Sequence, residues 1–242
     1  MRQVPRYCLI GAGKMAQHFG HYLSLLNIPY TAYSRSQITP ECIKSETTAA
    51  DKICLLISDS AILPFINQYE LNYHPKIVHF SGSLVIDGCF SAHPLMTFGS
   101  SLYDLPDYKA FPFIIEQEGA AFDTLLPGIP NKHFSIPQQL KPFYHALCVM
   151  GGNFSCLLWQ KYFQVLEEKF TIPAKDAAPY MKAIFQNLAN NPTAALTGPL
   201  VRKDDTTIQA NLSALQQQAD PFYRIYQAFV SAYPSLKQGD NV

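Results

Sequence analysis

The chain has 242 residues, with 18 lysines and arginines against 18 aspartates and glutamates, and 48% of it is hydrophobic. Such a length supports a sizeable core in one large domain or two modest ones. Charged residues reach only 15%, below the roughly 25% of an average domain, which excludes disorder and implies apolar surface hidden in places such as a subunit interface.

A zero charge balance, with Lys and Arg scattered, argues against nucleic-acid binding, which needs a basic face. No stretch approaches the ~18 apolar residues of a membrane span. The opening residues, Met1 to Arg6, run straight into an apolar strand without the apolar region of a leader, so a cytoplasmic location is expected. Cys8, Cys42, Cys54, Cys89, Cys148 and Cys156 form no CxxC pair and no metal-ligand spacing, and read as reduced thiols with no metal.

In chain order, Tyr7 to Ile10 reads as a strand, followed by a glycine turn and a helix from Lys14 with Met15, Phe19, Tyr22, Leu23 and Leu26 on one face. Asn27 reads as the helix stop, and Tyr30 to Tyr33 as the second strand. Further strands are expected over Ile53 to Ile57, Lys76 to Phe80, Phe111 to Glu116 and His133 to Ile136. Helices fall around Ala61 to Tyr69 and Ala120 to Leu126. Alternating strands and helices predict a mainly parallel sheet covered on both faces.

Past Pro137 the character becomes helical. Leu140 to Leu166 is apolar nearly all round and is expected to be a buried helix. Ala174 to Ala189, Thr206 to Gln217 and Phe222 to Ala232 follow as shorter helices, punctuated by Pro173, Pro192, Pro199 and Pro221. The expected division is a Rossmann-like α/β domain over 1–137 and an all-helical domain over 138–242.

Gly11-Ala12-Gly13-Lys14-Met15-Ala16 matches G-x-G-x-x-A between a strand and an amphipathic helix. Gly11 suits the tight turn, Gly13 the approach of a pyrophosphate, and Ala16 close packing of helix on strand. The helix N-terminus then offers free N–H groups and partial positive charge to an anion. At the end of the second strand an NAD site needs an acidic residue, whereas this chain reads Ser34-Arg35-Ser36. Arg35 can pair with a 2′-phosphate, with Ser34 and Ser36 as donors, so NADP(H) is the expected cofactor.

Ser58, Asp59, Ser81 and Gly82 follow predicted strands, where a doubly wound sheet lines its ligand crevice, although turn and cap chemistry accounts for them equally well. His93 precedes Pro94 and is a candidate proton donor, since histidine titrates near neutrality. Tyr144-His145 and Gly151-Gly152-Asn153 fall in the apolar helix. The glycine pair implies a close approach by a partner or ligand, and Asn153 a buried polar side chain needing partners. His145 lies ~80° from Asn153 around an ideal helix, so both can face one crevice. Arg202 can clamp a carboxylate or pair with Asp204, and Asp204 or Asp205 can cap the next helix.

The blocks Gly11-Ala12-Gly13, His79-Phe80-Ser81-Gly82-Ser83-Leu84, His93-Pro94-Leu95-Met96-Thr97-Phe98, Tyr144-His145-Ala146, Asn153 and Ala195-Leu196-Thr197-Gly198-Pro199 resemble the Rossmann-like proteins that carry a DUF2520 domain. The resemblance implies an NADP-binding domain, a helical domain of the 6-phosphogluconate dehydrogenase C-terminal type, and a homodimer formed through the latter. One branch is similar to the alternative type of ketopantoate reductase. It implies NADPH-dependent reduction of a small 2-keto acid, with His93, His145, Asn153 and Arg202 at the substrate. The alternatives are a reductase of another keto or imino acid, and an NADPH-binding sensor without turnover. Two positions depart from the family: Lys203 where Arg-Gly-Asp is common, and Asn211 in place of His. Better-known ketopantoate reductases use a Lys on the long helix, and Tyr144 to Gln160 holds none.

Overall fold

The computed structural model describes residues 4–71, 74 and 76–237. Met1 to Gln3, which entered the expectation of no leader, lie outside them. The chain forms two compact units, 1–157 and 158–242, which divide within one helix at Leu157/Leu158. The first unit thus extends past the composition change at Pro137.

The first unit is built on β1 (Tyr7–Ile10), β2 (Tyr30–Tyr33), β3 (Lys52–Leu55), β4 (Ile77–His79), β5 (Phe90–Pro94), β6 (Phe113–Glu116) and β7 (His133–Ile136). They form one sheet in the order β2-β1-β3-β4-β5-β6-β7. The first five strands run parallel, β6 runs antiparallel to β5, and β7 pairs parallel with β6. This is the expected Rossmann-like doubly wound sheet with a reversed two-strand tail. The helices are α1 (Lys14–Leu25), α2 (Pro40–Ala49), α3 (Asp59–Gln68), α4 (Leu105–Ala110), α5 (Phe122–Leu125) and α6 (Lys141–Cys148).

Both faces of the sheet are covered, which is why β1 reads as a continuous apolar run. Tyr7 and Leu9 point into a core shared with Phe19, Tyr22 and Leu23 of α1 and with Tyr108 of α4. Cys8 and Ile10 point the other way, into a core with Ile43 of α2 and Ile62, Phe65 and Ile66 of α3. Helix α1 ends as the sequence indicates: Asn27 takes the left-handed conformation with φ 55°.

In the first unit, β5, α2 and α4 escaped the sequence reading. Ser91, His93 and Pro94 weaken the strand signal of β5. Helix α2 is polar, yet it carries a legible start: Thr39 caps it by accepting from the Cys42 N–H, with Pro40 in the first turn. Helix α4 likewise begins with Pro106 in its first turn, after Asp104.

The second unit holds most of α7 (Ser155–Phe170), with α8 (Ala174–Asn190), α9 (Pro199–Arg202), α10 (Asp205–Gln217) and α11 (Phe222–Lys237). Trp159, Tyr162 and Tyr180 pack their rings together within it. Its buried hydrophobics among the described residues are Ala177 and Ile208.

The expectation of one buried helix over Leu140 to Leu166 is corrected in two respects. A π-helical turn, Val149–Phe154, separates α6 from α7 at the Gly151-Gly152 pair. The segment is also largely open: Phe143, Leu147, Met150, Phe154 and Leu157 each leave more than half of their surface exposed. An added Cβ on Gly151 or Gly152 would meet no atom within 4 Å. Among the described residues, no helix is long and apolar enough to cross a membrane.

Candidate active site

Strands β2 and β3 flank β1, so the strand order reverses there, and the C-terminal ends of such strands form the ligand crevice of an open α/β sheet. At the end of β1 the Gly11 N–H donates to the Tyr33 carbonyl at 2.8 Å. Gly11 has φ +145°, and a Cβ there would run into the Leu56 carbonyl oxygen, so only glycine fits. Gly13, by contrast, is the N-cap of α1 in ordinary extended geometry (φ −75°, ψ 179°), with no side-chain cap and no atom within 4 Å of an added Cβ.

A cavity of about 380 Å³ opens over this turn, lined by Gly11, Ala12 and Gly13 and rimmed by Arg35, Ser36 and Ser58. Lys14 is exposed at the helix start, Met15 is half-buried against the core, and Ala16 is buried. Ser34 faces its own loop: its Oγ donates to Gln37 Oε1 at 2.8 Å, and its N–H does so at 2.9 Å. Gln37, absent from the sequence reading, therefore shapes the loop that carries Arg35. The uncapped N–H groups, the tight turn and the Arg35 rim fit a dinucleotide phosphate chemically.

Ser58 caps α3 by position, and Asp59 begins it. Asp59 Oδ2 accepts from Ser81 Oγ at 2.8 Å and from Ser83 Oγ at 3.0 Å. Ser81 Oγ in turn accepts from the N–H groups of Ser83 and Leu84 at 3.2 and 2.9 Å. This network ties the cavity edge at Ser58 to the turn after β4, and it engages Asp59 and Ser81 in local turn chemistry.

Gly82, in that turn, packs beneath two histidine rings. A Cβ on it would lie 2.5 Å from His145 Cδ2 and 2.9 Å from His93 Nε2. The two rings are 5.8 Å apart and nearly perpendicular. His93 Nδ1 lies 2.8 Å from the Tyr144 hydroxyl. Burial, then the neighbouring His145 and Lys141, push the His93 pKa down to about 4, against a smaller opposing effect of Asp59. The expectation that His93 titrates near neutrality is therefore corrected: at pH 7 it is a neutral imidazole that offers one N–H and accepts at the other nitrogen.

Behind this pair lies a residue that the sequence reading passed over. Lys141 is buried, and its ammonium reaches Glu116 Oε1 at 2.5 Å, Ser91 Oγ at 2.7 Å and the Leu84 carbonyl at 2.5 Å. Glu116, also buried, accepts from the Ser91 hydroxyl and N–H at 2.9 and 3.0 Å. Its signal in the sequence is the spacing: Lys141 stands three and four residues ahead of Tyr144-His145 and hence on their helical face.

The remaining candidates are placed separately. Asn153 is exposed on the π turn, so the expectation of a buried, satisfied side chain is corrected, and the widened turn alters the ~80° phase assumed for an ideal helix. Arg202 is exposed and ends α9 in the second unit. Asp204 caps α10, accepting from the Thr207 N–H at 3.0 Å and its Oγ1 at 2.7 Å. Lys161 pairs with Asp220 at 3.1 Å, and Asn211 donates to the Tyr226 hydroxyl at 3.0 Å.

Residues 112–229 match the family described as a domain of unknown function, DUF2520, in line with the resemblance read from the sequence blocks. No curated protein matches in sequence. Among solved structures, the chain is similar to BF3122 from Bacteroides fragilis, named as an inferred NADP oxidoreductase, at 20% identity over 94% of this chain and 97% of that one, with a TM-score of 0.72. Protein TM1727 from Thermotoga maritima is similar at 19% identity over 98% and 100%, with a TM-score of 0.65. An imine reductase from Myxococcus stipitatus in complex with NADP+ is similar at 11% identity over 97% and 95%, with a TM-score of 0.62. At these identities the likeness establishes the two-part fold.

Proposed function

We propose that the protein is an NADPH-dependent reductase of a small 2-keto acid, with ketopantoate as the first substrate to test. The observation that carries this reading is the continuity, within one unit, from the Gly11–Gly13 turn and Ser58 through Asp59 and Ser81 to the Gly82–His93–His145 crevice. The oxidoreductase name of BF3122 and the NADP+ in the imine reductase complex support the cofactor class. Ketopantoate rests on the resemblance of the sequence blocks.

NADPH, when bound, supplies the hydride that reduces the carbonyl carbon. The N–H groups of α1 would hold the pyrophosphate, and Arg35 with Ser36 would meet the 2′-phosphate, while Ser34, bonded to Gln37, shapes their loop. Neutral His93, oriented by Tyr144, donates a hydrogen bond to the carbonyl oxygen as negative charge develops on it. His145, half exposed and thus able to reload from solvent, delivers the proton to that oxygen. Asn153 holds a water. In this reading residues 1–137 bind the cofactor, while 138–242 supply substrate contacts and the dimer.

The test is oxidation of NADPH by purified protein with ketopantoate, beside pyruvate, prephenate and pyrroline-5-carboxylate. Turnover is expected with ketopantoate and NADPH, slower with NADH, and Arg35→Ala is expected to erase that preference. Turnover with the imine alone moves the assignment to imine reduction. Tight NADPH binding without turnover on any of the four favours the sensor reading.

The homodimer rests on the exposed stripe from Phe143 to Leu157 and on the sparse burial in the helical unit. Light scattering should return the mass of two chains. Phe143→Glu/Phe154→Glu should return that of one, and a single-chain mass for the unaltered protein would exclude the assembly.

A further inference from the structure

The crevice is assembled from three separate pieces of chain: the Ser81–Leu84 turn carrying Gly82, β5 carrying His93, and α6 carrying Tyr144 and His145. Each piece makes a hydrogen bond to one buried ammonium or contains it. Leu84 accepts through its carbonyl, Ser91 of β5 through its hydroxyl, and Lys141 itself opens α6. Glu116 of β6 closes the arrangement from below, so all three N–H bonds of the ammonium find acceptors.

Sequence offsets make this a geometric register rather than a general anchor. Ser91 is two residues before His93, so both side chains lie on one face of β5. Lys141 is three and four residues before Tyr144 and His145, so all three lie on one face of α6. Fixing Lys141 on Ser91 therefore fixes Tyr144 and His145 against His93 and Gly82.

We propose that Lys141, seated on Glu116, is a positioning residue that sets His93, Tyr144 and His145 in one crevice. The inference takes its activity readout from the reductase reading, but its geometric claim stands without it. Lys141 has an electrostatic consequence as well. The groups facing His93 are Lys141, Tyr144 and His145 from α6 and Asp59 from α3; burial and then His145 hold the imidazole neutral, and the charge of Lys141 adds to them.

Removing Lys141 alone leaves Glu116 charged and buried, and that variant can fail to fold. The test therefore uses Lys141→Met/Glu116→Leu, which removes both charges from the core together. The folded double variant is compared with the unaltered protein by histidine-ring NMR over pH 3 to 8, by NADPH titration and by turnover. Expected are an NADPH Kd within about threefold, a His93 midpoint moved upward, loss of the His93–Tyr144 hydrogen bond, and turnover down by about 10²-fold, the cost typical of ångström-scale misplacement. An unmoved His93 midpoint with the Tyr144 bond intact overturns the proposal. If the unaltered protein turns over none of the substrates, the reductase reading fails, while the ring titration still decides the role of Lys141.

Discussion

Gly11→Ala and Gly13→Asp, two positions apart in one turn, are expected to fail in opposite ways. At Gly11 the new methyl would enter the Leu56 carbonyl, a backbone atom that cannot swing aside, at a φ of +145° that L-residues avoid. Strand β3 is bonded to β1 at that point, through the Leu56 N–H and the Ile10 carbonyl at 2.8 Å. Relief thus requires prying apart two central strands, at a cost of about 3 kcal/mol or more. The thermal midpoint should drop by several degrees, and NADPH binding should be lost with the turn.

Gly13→Asp meets none of these obstacles. Its backbone is extended, the space above it is open, and aspartate is a favoured N-cap that also complements the helix dipole. Stability should hold or rise by a few tenths of a kcal/mol. The carboxylate, however, occupies the approach of the pyrophosphate and repels it, so NADPH affinity should fall by at least about 10²-fold. Differential scanning fluorimetry and a fluorescence titration separate the two outcomes. A Gly13→Asp protein that binds NADPH normally would remove the turn from the cofactor site.

The second large effect is on stability below neutral pH. Burial, followed by the charge of Lys141, lowers the His79 pKa to about 4, and His93 is lowered to about 4 by burial and His145. In the unfolded chain both return to about 6.5. Between these values the unfolded state binds protons that the folded state refuses, so stability is greatest above pH 6.5 and is lost as the pH falls toward 4. Each histidine accounts for at most about 3 kcal/mol, and the pair for on the order of 5 kcal/mol once the partial exposure of His93 is discounted. Urea midpoints at pH 7.5, 6, 5 and 4 should decline steadily. His93→Gln should flatten roughly half of that slope, and a slope unchanged in that variant would show that His93 is not held neutral.

Much of the architecture was legible because local and global signals agree in the first half of the chain. The continuous apolar run of β1, the glycine turn and the 3.6-residue pattern of α1 each require the same arrangement. The boundaries of β1, β2 and β7 were read as they stand in the fold. Strand β5 was not legible, because Ser91, His93 and Pro94 weaken its strand propensity, while Ser91 serves the buried ion pair and His93 meets Tyr144. Asn153 and the long apolar helix were misread because burial was inferred from composition, whereas Phe143, Leu147, Met150 and Phe154 stand exposed.

By itself, the sequence determined the Rossmann-like class, the glycine turn from Gly11 to Gly13 and the DUF2520 resemblance, all of which rest on spacings of a few residues. The tertiary structure alone decided that Gly82 lies under two histidines, that His93 is neutral, and that Lys141 and Glu116 meet. Those facts depend on residues distant in the chain becoming neighbours out of water, where burial sets both the charge state of an imidazole and the need of an ammonium for a partner.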